Sequence, residues 1–128
     1  MEDEYADEVF PGFWHPDLNQ GFTKMPHELI EMLHKLKEAE LKIVLYIMRH
    51  TWGFQEFDSP RTITTDEFIY GRKRKDGSRM DNGTGLSDRG VKNGIAQAIK
   101  HGYILCETDD RDKGRKKKKY SINIYREK

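Results

Sequence analysis

The residues best placed to do chemistry lie between Ser87 and Gly102: Arg89, Lys92, Asn93, Gln97 and Lys100. None of these types is a strong nucleophile. They are donors, suited to phosphate oxygens and base edges. Arginine pairs well with guanine, asparagine or glutamine with adenine, and lysine neutralises phosphate. The stretch that carries them predicts a helix. Ser87 is a good N-cap residue, and Asp88 follows at the positive end of the helix dipole. Val91, Ile95, Ala98 and Ile99 recur at i, i+4, i+7 and i+8 and form one apolar face. Gly102, after Lys100 and His101, is a helix stop. Arg89, Lys92, Asn93 and Gln97 are therefore candidate base contacts, and Ser87 and Lys100 candidate backbone contacts.

The elements around this helix predict how it is presented. Tyr103 to Glu107 has the pattern of a strand. A charged turn from Asp109 to Lys119 follows, and Tyr120, Ile122 and Ile124 then alternate with polar neighbours as a half-buried strand does. Helix, strand, basic turn, strand is the layout of a winged helix-turn-helix, so the expected fold class is mainly α with a small antiparallel sheet. In the wing turn, Lys113, Arg115, Lys116 and Lys117 are candidate phosphate contacts. Gly90 and Gly94 lie inside the helix, where each costs on the order of 1 kcal/mol relative to alanine. Close packing inside the protein is the reading favoured for Gly94.

Upstream, residues 25–36 predict a first helix with Pro26 at its first position and Leu29, Met32, Leu33 and Leu36 as its buried stripe. Residues 38–52 are the most apolar. Leu41, Val44, Leu45 and Met48 make one face and Ile43 and Ile47 another, which predicts a central helix ended by Gly53, with Trp52 and Phe54 as core anchors. Arg61–Thr64 predicts a short strand paired with the wing. Thr65 is expected to cap a short helix over Asp66–Gly71, bracing the donor-bearing helix. Between those two helices stand fifteen residues, RKRKDGSRMDNGTGL. Asp76-Gly77 and Asn82-Gly83 are hairpin-turn signals, and Arg72, Lys73, Arg74, Lys75 and Arg79 make the insert a further set of candidate backbone contacts.

Composition bounds the function class. A chain of 128 residues holds one domain plus a tail, divided here into an acidic, aromatic arm over 1–21 and a winged-helix domain over 22–128. The net charge of +1 conceals a division. Residues 1–60 carry five Lys/Arg against twelve Asp/Glu (net −7), and residues 61–128 carry eighteen against ten (net +8). The basic half suits a polyanion. The single cysteine, Cys106, allows no intramolecular disulfide or cysteine-based zinc site. No apolar run approaches the roughly 18 residues of a membrane span, and the acidic N-terminus is unlike a basic signal peptide. A cytoplasmic protein without membrane contact is expected. The five histidines are scattered, and no paired carboxylates, phosphate-binding glycine loop or nucleophile elbow is visible. The expectation is a non-enzyme with no cofactor and no metal.

Five stretches carry a family resemblance: GFTKMPHELIEML, ELKIVLYIMRHTWGF, ITTDEFIYG, GTGLSDRGVKNGIAQAIKHGYI and KKYSINI. Together they resemble the N-terminal DNA-binding domain of phage replication protein O and its prophage and plasmid relatives. The resemblance spans roughly residues 20–125. Its most specific pieces are the HTWGF exit from the central helix and the basic insert leading through GTGLS. It implies a winged helix that recognises an origin for replication initiation, with Ser87 to Lys100 as recognition helix and the loop near Lys113 as wing. Proteins of that family usually continue into a C-terminal region that recruits the helicase, whereas this sequence stops after the wing. The expected partner is double-stranded DNA, with replisome proteins or a second copy as further partners. Transcriptional regulation by the same fold, or a winged helix used for protein contacts, are the alternatives.

Overall fold

The computed structural model describes residues 9–18, 21–109 and 117–125. Four α-helices and one three-stranded antiparallel sheet make up its regular structure: α1 (His27–Glu31), α2 (Glu38–Thr51), β1 (Arg61–Thr62), α3 (Thr65–Tyr70), α4 (Asp88–Lys100), β2 (Ile104–Asp109) and β3 (Lys117–Ile122). The sheet order is β1-β3-β2. Arg61 lies opposite Tyr120, and β2 and β3 pair from Ile104–Ile122 to Asp109–Lys117. The expected strand at Arg61 therefore pairs with the expected C-terminal strand. Among the described residues no helix is long and apolar enough to cross a membrane.

Helix α2 is central, as its composition requires. Ile43, Val44, Tyr46, Ile47 and Met48 are all buried, and Phe68 of α3, Val91 and Ala98 of α4, and Ile104, Tyr120 and Ile122 of the sheet join them in one core. Phe68 is the keystone of the aromatic part. Its ring lies 5.4 Å from Tyr46 and meets Tyr120 edge-on at 5.5 Å, a favoured geometry for aromatic pairs.

The α2 reading needs one correction. Met48 is 3% exposed but Leu45 is 42% exposed. The outward stripe is Glu38, Lys42, Leu45 and Arg49, while Tyr46 and His50 turn inward. Periodicity assigned Leu45 to the core because it is apolar. The insert covers the neighbouring flank instead, where Tyr46 and His50 find a polar partner. Three boundaries also differ. The expected 25–36 helix is only the five-residue α1, broken at Met32 before a single 3-10 turn over Leu33–Lys35. Leu29 alone of its stripe is fully buried and Leu33 is exposed, so little packing holds a longer helix together. Pro26 precedes α1 rather than occupying its first position. At the other end α2 runs into a 3-10 turn over Trp52–Phe54 that closes at Gln55, in the left-handed region, instead of stopping at Gly53. Trp52 packs against the core. Phe54 is not a core anchor: its ring is exposed and carries the guanidinium groups of Arg49 and Arg61 at 5.1 and 5.3 Å.

Helices α2 and α4 pack closely against each other, and Gly94 makes the approach possible. A Cβ at Gly94 would sit 2.7 Å from Ile43 Cγ1 and 2.9 Å from the Ala39 carbonyl oxygen. The second neighbour is backbone and cannot swing away. Gly90 is less confined, its Cβ position lying 3.3 Å from Leu86 Cβ. Gly94→Ala should therefore destabilise the protein by up to about 2 kcal/mol net, because overpacking costs about 1–3 kcal/mol against a helix-propensity gain of about 1 kcal/mol. Gly90→Ala should cost less than Gly94→Ala or stabilise. Urea unfolding of the two variants beside the wild type measures the difference.

Candidate nucleic-acid interface

Helix α4 forms where the sequence requires it. Ser87 caps it, its hydroxyl accepting from the Gly90 amide at 3.1 Å. At the other end the Gly102 amide donates to Ile99 and the Tyr103 amide to Ala98, and Gly102 takes a φ of 82° that suits glycine. This double closure is the Schellman form of a helix end. Val91, Gly94 and Ala98 are buried. The opposite side carries Arg89, Asn93, Ala96 and Lys100, spaced i, i+4, i+7 and i+11, all exposed. Lys92 lies on the flank towards the sheet and pairs with Asp88 at 3.0 Å. Gln97, on the other flank, is half-buried. Of the four expected base-reading side chains, three are therefore exposed, and only Arg89 and Asn93 lie on the central line.

The insert between α3 and α4 divides its cations into two classes. A small hairpin forms at Asp76-Gly77, as expected: Lys73 and Arg79 are bridged, and the Arg74 amide donates to the Ser78 carbonyl at 2.7 Å. Ser78 donates to Asp76 through both its amide and its hydroxyl, and those bonds hold the Asp76 carboxyl below its ordinary range. Arg79 donates to the Gly71 carbonyl at 2.6 Å and faces Asp66 at 3.4 Å. Arg72 faces Glu67 at 3.6 Å, and Arg74 reaches the Arg79 carbonyl at 3.1 Å. These three arginines brace the hairpin. Among the described residues no ion pair engages Lys73 or Lys75, and both are exposed.

On the sheet, Lys117 and Lys118 are exposed while Lys119 is half-buried and faces Asp109 at 3.8 Å. Asp109 and Lys117 belong to strands, so the expected wing turn is narrower than 109–119. Lys113, Arg115 and Lys116 lie outside the described residues. Cys106 stands opposite Tyr120 in the register. Burial raises both groups, the Tyr120 phenol to about 12.

The second turn signal, Asn82-Gly83, does not make a hairpin. Asp81 bends the chain there by accepting from the Gly83 amide at 2.8 Å. The same carboxylate accepts from the Tyr46 hydroxyl at 3.0 Å and lies 3.0 Å from His50 Nε2. It fastens the insert to α2. Thr84 then ties α3 to the lead into α4: its amide and hydroxyl both donate to the Phe68 carbonyl, and its hydroxyl accepts from Leu86. Thr64, not Thr65, caps α3, in a reciprocal box with Glu67. At the far end of α4, His101 Nδ1 meets Glu40 Oε2 at 2.7 Å, with Glu40 only 1% exposed. None of Tyr46, His50, Asp81 or Glu40 was singled out from sequence. The one available signal was an acidic residue two before glycine, as in an Asx turn.

Among the described residues no group of three His, Cys, Asp or Glu side chains could hold a metal ion. No known protein-family model matches the chain, and no curated protein matches it.

Burial holds the His50 imidazole below its ordinary 6.5, and this outweighs the opposing pull of Asp81. Its buried Nδ1 has no partner among the described residues, so a second ring proton would find no acceptor there. The folded chain thus binds fewer protons at His50 than the unfolded chain once pH drops beneath 6.5. The associated stability is present at neutral pH and is lost on acidification through that window. Urea midpoints should fall between about pH 7 and about pH 5.5, a window that spans the free imidazole value. They should fall less in His50→Gln, which keeps a donor for Asp81. An equal fall in both proteins would assign the acid sensitivity elsewhere.

Proposed function

We propose that this chain binds duplex DNA sequence-specifically as a winged helix, with α4 as its recognition helix. The observation that carries the proposal is the exposed line Arg89–Asn93–Ala96–Lys100 on a helix whose opposite face is locked into the core. Arg89 and Asn93, donors for guanine and adenine, stand there one turn apart, with Lys100, a donor for phosphate, two turns further on. The element order α2-β1-α3-α4-β2-β3, with β1 pairing onto β3, supports the winged-helix reading. Lys117 and Lys118 on one side, and Lys73 and Lys75 on the hairpin, would meet the phosphates. Arg72, Arg74 and Arg79 would act mainly by holding the hairpin in shape. Gln97, half-buried on the far flank, contributes less than Arg89 and Asn93. The resemblance to replication protein O makes origin recognition in a phage, prophage or plasmid the favoured setting, with regulation of transcription as the alternative.

One feature favours a second role in protein contacts. Val9, Phe10, Phe13, Trp14 and Phe22 are all strongly exposed, Phe13 at 92%. Of these, Phe10 and Phe13 stand with ring centroids 4.7 Å apart, and exposed apolar area of this kind is what a protein partner would cover.

Selection of bound duplexes from a random pool tests the main reading. Arg89→Ala or Asn93→Ala should weaken the selected site by about 5- to 150-fold more than a random duplex, given about 1–3 kcal/mol of discrimination per base contact. Lys117→Ala with Lys118→Ala should weaken both duplexes alike. The double variant should also make the slope of log K against log salt shallower by about 1 for each phosphate no longer neutralised. An affinity indifferent to salt would remove the DNA-binding reading and leave the protein-contact role.

A further inference from the structure

The sheet-side flank of α4 is unlike the rest of its exposed surface. Ile95, Ala96 and Ile99 line the α4 side of a groove that Lys92, Lys117, Lys118 and residues 62–65 also line. Ile99 is 43% exposed, and Ala96 lies on the central donor line between Asn93 and Lys100. A face that only neutralises phosphate needs no exposed isoleucine, because an apolar side chain offers nothing to an oxygen. The major groove of duplex DNA presents one apolar group, the C5-methyl of thymine. Asn93 stands one turn before Ala96 and is the type that pairs with adenine. An adenine reader beside an apolar patch suits an A·T pair and the methyl of its own or a neighbouring thymine.

We infer that Ala96 and Ile99 read thymine methyl groups, so that the preferred duplex carries A·T pairs along the sheet side of α4. This rests on the DNA-binding reading above and names the sequence class it takes. Lysines lining the groove would hold the flanking phosphates, and the apolar α4 side would exclude water from the methyls.

Replacing thymidine by deoxyuridine removes the methyl and leaves the hydrogen-bonding edge intact. The probes are the duplex selected by the full chain, a copy with deoxyuridine at each thymidine, and a random duplex treated the same way. Wild-type affinity should fall roughly fourfold per methyl covered on the selected duplex, with no change on the random one. Ala96→Ser should reduce the ratio between the two selected copies, and Ala96→Gly with Ile99→Ala should bring it to about 1. Each ratio compares two DNAs on one protein, so a partly unfolded variant does not distort it. A wild type indifferent to the replacement, an equal loss on random duplex, or a ratio unchanged in both variants would overturn the inference while leaving DNA binding intact. Failure to bind any duplex would overturn the DNA-binding reading and this inference together.

Discussion

The contact of Gly94 with Ala39 and Ile43 sets the spacing on which the other packing depends. Two helices cross at the distance their side chains allow, and a missing side chain brings the backbones closer. Val91 and Ala98, on the same face of α4, are fully buried. The close approach also brings the end of α4 near enough to the start of α2 for His101 to meet the buried Glu40. Tight packing of this sort has two sides: it fixes the helix, and it leaves no room to adjust. Rotation of α4 about its axis would drive buried residues into solvent and donors into the core.

Polar clasps complete what packing begins. Asp81 accepts from Tyr46 and Gly83 and meets His50, and Thr84 holds the Phe68 carbonyl. These bonds span from α2 to the segment just before α4, so the insert is anchored at its C-terminal end while its basic tip projects. The cations sort accordingly. Arginines, with several donors in a fixed fork, make the intramolecular contacts at Arg72, Arg74 and Arg79. Lysines, with one compact charge on a long stem, are left exposed at Lys73, Lys75, Lys117 and Lys118.

Much of the fold was legible because it is written in local signals. Ser87 and Gly102 bound α4, Val91 and Ala98 give its buried face, and alternation around Tyr120 gives β3. The central place of α2 followed from apolar residues on two sides. The misses share a cause. Leu45 was assigned by hydropathy alone, yet which flank of a helix is covered depends on segments distant in sequence. The Asp81 clasp joins residues 31 and 35 positions apart, a separation at which no periodicity operates. Candidate phosphate contacts were named by charge. Charge does not reveal that Arg79 is engaged by the Gly71 carbonyl, whereas the i, i+4 spacing of Asp88 and Lys92 is a pairing signal the sequence does carry. Helix α1 fell short because pattern measures the capacity to bury a stripe and not whether anything arrives to cover it.

The two faces of α4 are structurally independent, and this has an evolutionary consequence. Val91, Gly94 and Ala98 hold the helix without touching the line of Arg89, Asn93, Ala96 and Lys100. Exposed side chains away from caps and core shift stability by little when replaced. Lineages could therefore rewrite those four positions one at a time, retaining a folded scaffold at each step, and diverge in surface chemistry faster than in architecture. The reverse holds for the buried side, where drift at Gly94 would be purged before any new surface could be tested.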